Sequence, residues 1–299
     1  MIASGVTRTR RAFAGLALLA GGALGSTAAF ANPVPWQLNM PQGVSDISKR
    51  VYDLHMLGLY VCAGIGIVVF AVMFVAMFRF RKSRGAVAQT WAHNTRLEVV
   101  WTIIPILLLI MLAWPATRLL IDMNDVGESD LTVKVTGFQW RWRYDYVEYQ
   151  KQDPGVHFIS SLDTESNRVR QLGSGLDPNA VKDGDYSSYL LNVDNPLVVP
   201  VGVKIRFLIT ADDVIHSWWV PTLGWKQDAI PGFINDNWTK INTPGLYRGQ
   251  CAELCGRDHA FMPIVVKAVP QAEFEQWLAT HKSAAAATAA VGAAPDGQG

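Results

Sequence analysis

Four side chains able to bind a soft metal fall in one short run. In GQCAELCGRDHAFMP they are Cys251, Cys255, His259 and Met262, spaced C-x3-C-x3-H-x2-M, and a fifth, His216, stands upstream in DVIHSWWVP. Thiolate, imidazole and thioether together favour copper over magnesium or calcium. Zinc also accepts two Cys and two His, but it does not normally take a thioether. A mononuclear blue-copper site uses one Cys, two His and a weak axial Met, so here one thiolate is left over. Its simplest use is to bridge a second copper. Two bridging thiolates, one imidazole per metal, Met262 on one metal and a backbone carbonyl on the other would complete a binuclear site. A copper pair that shares its charge changes geometry little on gaining one electron, which suits electron transfer rather than bond-making. There are plainer readings. Two Cys in an exported domain most often form a disulfide, and a single His or Met most often just packs. Each residue alone favours packing; the joint spacing favours a metal.

Other chemistries leave no trace. The sequence has no nucleophile elbow, no Gly-rich phosphate loop and no C-x-x-C-H haem attachment site. The formal net charge of the 299 residues is +1, which gives no sign of a nucleic-acid partner.

The elements that must hold these ligands are read from periodicity. From Leu131 the pattern alternates: Leu131, Val133 and Val135 against Thr132, Lys134 and Thr136; Trp140, Trp142, Tyr144 and Tyr146 against Arg141, Arg143 and Asp145; then Val203, Ile205, Phe207 and Ile209. Such runs between Pro, Gly, Asn and Asp turns predict an antiparallel β-sandwich or barrel over residues 122–282. Residues 152–188 read as a long connection with one weak strand, and Gln271 to His281 as a short helix. The Ala/Gly-rich stretch 283–299 carries no core-forming pattern and is expected to be a disordered tail.

The first 121 residues are apolar, and mean hydropathy is +0.15 for the whole chain. Arg8, Arg10 and Arg11, the short apolar core Ala12 to Ala20 and Ala29-Phe30-Ala31 read as a signal peptide over 1–31, with the mature chain starting at Asn32. Met56 to Phe78 is 23 residues without a charge and Val99 to Thr117 is 19. Each can cross a hydrocarbon core of about 30 Å. Arg79, Arg81, Lys82, Arg84 and Arg96 lie between them, so this loop should stay in the cytoplasm and both ends of the mature chain face outward. Pro105 and Pro115 imply that the second span packs against other protein. Cys62 reads as apolar packing in the first span. Glu98 reads, from spacing alone, as a solvated carboxylate near the interface.

HNTRLEVVWTIIP, VTGFQWRWRYDY, ADDVIHSWWVP, KQDAIPG and GQCAELCGRDHAFMPIVV stand in this order in the chain. By these motifs, residues 45–280 resemble cytochrome c oxidase subunit II of the bacterial aa3 type. The resemblance implies two transmembrane helices followed by a cupredoxin-like domain with a binuclear CuA centre. Its ligands would be His216, Cys251, Cys255, His259, Met262 and the backbone carbonyl of Glu253. It further implies that the Glu253 side chain shares a magnesium ion with subunit I, and that Trp140 is where electrons enter from cytochrome c. Asp194, Asp212 and Asp213 would form the acidic docking surface, and Glu98 would lie at the entrance of a proton path. Implied partners are subunit I, subunit III, cytochrome c and the bacterial inner membrane, with the copper domain on the periplasmic side. The activity implied is that of an oxidoreductase and translocase subunit passing electrons toward O2 reduction and proton pumping. Three positions depart from the family pattern: Arg141 stands where an aromatic is usual, Phe233 where an arginine is, and Trp219 where a smaller residue is. A quinol-oxidase subunit II would lack the ligands. A copper-storage or copper-delivery protein would not need the two spans or Trp140.

Overall fold

The computed structural model describes residues 29–31, 36–170 and 188–292. The expected signal peptide lies outside the described residues except for Ala29–Ala31, which form a short strand β1. Helices α1 (Asp46–Arg79) and α2 (Thr95–Met123) form a hairpin joined through a 3-10 turn at Lys82–Arg84. Both enclose the charge-free runs and extend beyond them. At 1.5 Å per residue they are roughly 51 and 44 Å long, so their ends stand clear of a hydrocarbon core of about 30 Å. Ser45 caps α1 through a capping box with Ser48, and the Asn94 side chain caps α2 by accepting from the Leu97 N–H.

The rest is a sandwich of two sheets. One has the order β4 (Val156–Ser160), β3 (Arg141–Tyr149), β2 (Leu131–Phe138), β6 (Ile205–Ala211), β9 (Asn235–Thr239). The other runs β5 (Leu197–Pro200), β11 (Pro263–Val269), β10 (Gly245–Cys251), β7 (His216–Trp219), β8 (Lys226–Ala229), with β1 parallel to the start of β10. Leu131, Val133, Val135, Ile205, Phe207 and Ile209 from one sheet are fully buried against Leu197, Trp218, Tyr247, Ile264 and Val266 from the other. The six from the first sheet are residues the alternation picked out, and β2 and β6 pair in parallel while their neighbours run antiparallel. Helix α1 is fastened to the sandwich where Ser45 bridges to Ile241 and the Val44 N–H donates to the Thr222 carbonyl at 3.2 Å.

Three local expectations change. Trp140 is not on a strand: it sits with Gln139 in the turn between β2 and β3, and the inward alternation begins at Trp142. The connection after β4 contains a short helix α3 (Thr164–Val169), started by the Asp163 carboxylate on the Ser166 N–H; residues 171–187 of that connection lie outside the described set. Helix α4 runs from Gln271 to Gly292, through most of the stretch read as tail. Alanine has the highest helix propensity of any residue, so an Ala-rich run can continue a helix without packing it. Residues 293–299 lie outside the described residues.

Candidate metal centre

The ligand residues come from two adjacent strands and one loop. His216 is the first residue of β7, and Cys251 the last of β10. The strands pair at Gln250 to Trp219 and Cys251 to Trp218, and the Ala252 N–H donates to the Ser217 carbonyl at 3.0 Å. That pairing fixes His216 beside Cys251. The loop then turns back through Cys255 and a 3-10 turn at His259–Phe261, and the Cys251 N–H closes it on the Met262 carbonyl at 3.2 Å. Gly256 has φ +122°, and a Cβ there would lie 3.0 Å from Gln139 Nε2 and 3.2 Å from Trp140 Cζ2. The loop therefore needs glycine to lie flat on the β2–β3 turn.

The two sulfurs are 3.8 Å apart and both cysteines are free. A disulfide would bring them to about 2.05 Å, so these thiols face one another without bonding. His216 Nδ1 is 3.9 Å from Cys251 Sγ, His259 Nδ1 is 3.5 Å from Cys255 Sγ, and Met262 Sδ is 3.6 Å from Cys255 Sγ. The Glu253 carbonyl oxygen is 3.3 Å from Cys251 Sγ. Ligand atoms of His216, Cys251 and Cys255 all lie within 4.8 Å of one another. His216, Cys251, Cys255 and Met262 are at most 4% exposed, while His259 is half-buried. Two thiols, two imidazole nitrogens, one thioether and one carbonyl oxygen thus converge, a donor set that suits soft copper.

The electrostatics of the cluster are those of a cation site. Burial acts to raise the Cys251 thiol, but hydrogen bonds with His216, Ser217, Glu253 and Cys255 outweigh it and hold it below the ordinary thiol value. Burial, and then the neighbouring Cys251 charge, push Cys255 up to about 12. A bound cation favours the thiolate form of both cysteines. His216 Nε2 is 2.9 Å from Asp213 Oδ1. That bond places the proton on Nε2 and leaves the Nδ1 lone pair toward the sulfurs.

Two family models cover this architecture. The one described as the cytochrome c oxidase subunit II periplasmic domain matches residues 131–269, and the one described as its transmembrane domain matches residues 33–119. The chain belongs to the cytochrome c oxidase subunit II family. It is 37% identical over 254 residues to a probable cytochrome c oxidase subunit 2 of Rickettsia bellii, covering 85% of this chain and 87% of that one. It is 38% identical over 251 residues to cytochrome c oxidase subunit 2 of Pneumocystis carinii, covering 82% of this chain and 95% of that one. Among solved structures it resembles the periplasmic domain of subunit II (CoxB) of Bradyrhizobium japonicum, at 40% identity and a TM-score of 0.42, over 53% of this chain and 97% of that chain. Its two apolar helices fit a membrane protein with two spans, and membership of the family implies copper in the thiol and imidazole cluster.

The other residues singled out by the subunit II pattern fall into three groups. Trp140 joins the metal loop directly: its Nε1–H donates to the Cys255 carbonyl at 3.3 Å, and Gln139 Nε2 donates to the same oxygen at 2.8 Å. The aspartates are already engaged. Asp213 accepts from the Gln139 N–H at 2.7 Å, the Val214 N–H at 2.6 Å and His216. Burial acts to raise its carboxyl, and these bonds outweigh it, holding it below the usual carboxylate value. Asp212 meets Arg143 at 3.1 Å, and Asp194 accepts from the backbone N–H groups of Ser161 and Asn195 at 2.7 Å each. Glu98 accepts from the Asn94 N–H at 3.2 Å, so here it reinforces the start of α2. The exposed Glu253 side chain points out of the loop whose carbonyl turns inward.

Sequence reasoning passed over Gln139 and Gly137. A Cβ on Gly137 would lie 3.0 Å from His216 Cδ2 and 2.9 Å from Trp142 Cζ3, so only glycine leaves room for the imidazole. Nothing in a strand pattern flags that contact. The i−3 spacing of Asp213 from His216 is the one signal that could have revealed its inward role.

Proposed function

We propose that the chain accepts electrons from cytochrome c over Trp140, holds them at a binuclear copper centre, and delivers them to the haem of subunit I, where O2 is reduced to water with proton pumping. The observation that carries this reading is the pair of unbonded thiols 3.8 Å apart, each with an imidazole Nδ1 within 3.9 Å. When bound, two coppers would supply a one-electron relay whose geometry changes little with redox state. The thiols of Cys251 and Cys255, the imidazoles of His216 and His259, the Met262 thioether and the Glu253 carbonyl would hold them. The protein's part is to hold these donors rigid and dry. Asp213 fixes the His216 ring, and Gln139 and Trp140 fix the Cys255 carbonyl. Trp140 gives an aromatic surface one hydrogen bond from a ligand backbone.

Leu254 at 78% and Phe233 at 66% exposure, beside the loop and the turn after β8, support a contact surface for subunit I. We assign the Glu253 carboxylate to a magnesium ion shared there, and Asp194, Asp212 and Asp213 to the rim on which cytochrome c lands. Glu98 would lie at a proton-path entrance on the cytoplasmic side. Subunit III completes the complex, in the inner membrane with the sandwich in the periplasm after removal of residues 1–31. Metal analysis and electron paramagnetic resonance of the purified oxidase test the centre. Two coppers above those of subunit I, with one unpaired electron shared by two copper nuclei, is the expected result. A Cys251–Cys255 disulfide persisting in the copper-loaded protein would sink it.

A further inference from the structure

The two imidazoles of the cluster are held very differently. His216 is fully buried, and its Nε2 is tied to Asp213 at 2.9 Å. His259 is half-buried, its Nδ1 lies 3.5 Å from Cys255 Sγ, and among the described residues nothing hydrogen-bonds its Nε2. The direction of its ring is therefore set by the backbone that carries it, the 3-10 turn His259–Phe261. That turn is closed by the His259 N–H on the Gly256 carbonyl at 3.2 Å and the Phe261 N–H on the Asp258 carbonyl at 2.9 Å. Both bonds stay within the loop, so they shape the turn without fixing it to the sandwich. Its far end is fixed at Met262, whose carbonyl accepts from the Cys251 N–H.

The near end is held from outside. Arg170, which caps the C-terminus of α3, lays its guanidinium over the Phe261 ring, 4.3 Å from the centroid, and its Nη1 is 3.6 Å from Asp258 Oδ1. Asp258 directly precedes His259 and Phe261 follows it by two, so one side chain grips the turn on both sides of the imidazole. The guanidinium is itself aimed, because its Nε donates to Asn167 Oδ1 at 2.8 Å. Helix α3 is anchored in turn. Buried Ser166 accepts from the Leu190 N–H at 3.4 Å, and the Asp163 N–H donates to the Asn192 carbonyl at 3.1 Å. The Asn192 side chain accepts from Arg248 of β10 at 2.9 Å. Arg257 also reaches Asp258, at 3.5 Å, but it is 83% exposed and belongs to the same loop, so it adds no outside support.

We propose that Arg170 is a positioning residue for the copper centre: by clamping Asp258 and Phe261 it holds the His259 imidazole toward Cys255, with α3 as the strut behind it. This rests on His259 being a copper donor. Without the clamp the turn keeps its internal bonds but is free to tilt. His259 then loses its fixed direction, while His216, Cys251, Cys255 and Met262 stay where the strands and the loop closure put them. A stacked, paired guanidinium is not replaced by an ammonium, so lysine at this position restores the ion pair more than the stacking.

The experiment uses the intact purified oxidase carrying Arg170→Gln, Arg170→Lys, Asp258→Asn, the Arg170→Gln/Asp258→Asn pair, or Arg168→Gln. Arg168 is the control, since it lies on the same helix and pairs with Glu165 at 2.7 Å. Copper content, the resonance spectrum and the rate of copper loss to excess chelator are read. Arg170→Gln is expected to retain the coppers as purified but to show unequal coupling to the two nuclei. Its copper loss should be about tenfold faster, the size expected when a partly exposed cation–π contact and a partly exposed ion pair go together. Arg170→Lys should recover part of this, Arg168→Gln should match the unaltered oxidase, and the double variant should lose copper no faster than Arg170→Gln alone, because both changes break one contact. An Arg170→Gln oxidase with the unaltered spectrum and release rate overturns the proposal. So does an equal acceleration by Arg168→Gln, which would trace the effect to α3 as a whole, or a double variant whose acceleration is the product of the two singles. If Arg170→Gln fails to assemble, Asp258→Asn decides alone, and an unchanged spectrum and release rate there overturn the clamp. An unaltered oxidase without a copper pair would remove the functional reading and the clamp with it; a pair that is present but indifferent to Arg170 removes the clamp alone.

Discussion

In the metal loop, His216, Cys251, Cys255 and Met262 are almost fully buried, and each donor is placed by a strand pairing or a hydrogen bond within the same chain. Along α1 and α2, Phe70, Phe74, Trp101, Ile110 and Leu120 are each more than half exposed. Both regions are rich in apolar atoms, yet one has its core inside the chain and the other lacks one. The difference shows how labour is divided. The copper site is finished by this chain alone, so its chemistry is set locally by a few contacts. The hairpin is unfinished, and lipid or neighbouring subunits must cover it. Substitutions in the loop should therefore change the centre, and substitutions in the hairpin should change assembly or stability while leaving the centre alone.

The largest effect is expected from Cys255→Ser. A hydroxyl is a hard, weakly acidic ligand and cannot bridge two soft metals. The variant should hold at most one copper and lose nearly all turnover, as read by metal analysis and O2 consumption. Retention of two coppers with an unchanged resonance spectrum would break the claim that both sulfurs bridge.

Trp140→Phe should come next. Phenylalanine keeps an aromatic surface but removes the hydrogen bond to the Cys255 carbonyl. Reduction of the copper centre should slow on the order of tenfold, or about 1.4 kcal/mol of barrier, with little change in donor affinity. Rapid-mixing kinetics separate the two, and a change in affinity alone would show that Trp140 docks the donor without conducting to the site.

These residues differ in how much of their role could be read beforehand. The β-sandwich was legible from Leu131, Val133, Val135, Ile205, Phe207 and Ile209, because a period of two has one physical explanation when turns bracket it. The ligand loop was legible because four donors in one run have few other uses. Trp140 misled as a strand residue because aromatic alternation continues through the tight turn, and only backbone pairing shows that β2 ends at Phe138. Asp213 has a second role that the sequence did not show. The family resemblance implies a docking group, and its three inward hydrogen bonds depend on where the β2–β3 turn lies in space. The reach of α4 past His281 reflects alanine's own preference for helix, which a search for a packing face does not register.

Met262→Leu should be milder than either change above. Leucine keeps most of the apolar volume but removes the thioether 3.6 Å from Cys255 Sγ. Copper should remain, with the two metals made inequivalent and the reduction potential shifted. Potentiometry and resonance on the same sample test this; loss of both coppers would mean that Met262 holds the loop closed as well as ligating.

The smallest effect sharpens the comparison from the membrane side. Ser45 is fully buried at the joint between α1 and the sandwich, where its Oγ accepts from the Ser48 N–H at 3.0 Å and reaches the Leu223 carbonyl at 3.3 Å. Ser45→Ala removes the helix cap and leaves that carbonyl short of a partner. A lost cap costs about 1 kcal/mol, which in a domain of this size lowers the unfolding midpoint by about 2–4 °C. Among the described residues, the side-chain hydrogen bonds of Ser45 and Ser48 run to one another and to Leu223, and none reaches His216 or the loop from Cys251 to Met262. The temperature at which the purified oxidase loses its copper-centre absorbance should therefore fall by that amount, while the spectrum and copper content below the transition stay as they were. An altered copper spectrum in Ser45→Ala well below the transition would show that strain passes from the hairpin into the loop, and the division between the finished site and the unfinished helices would have to be given up.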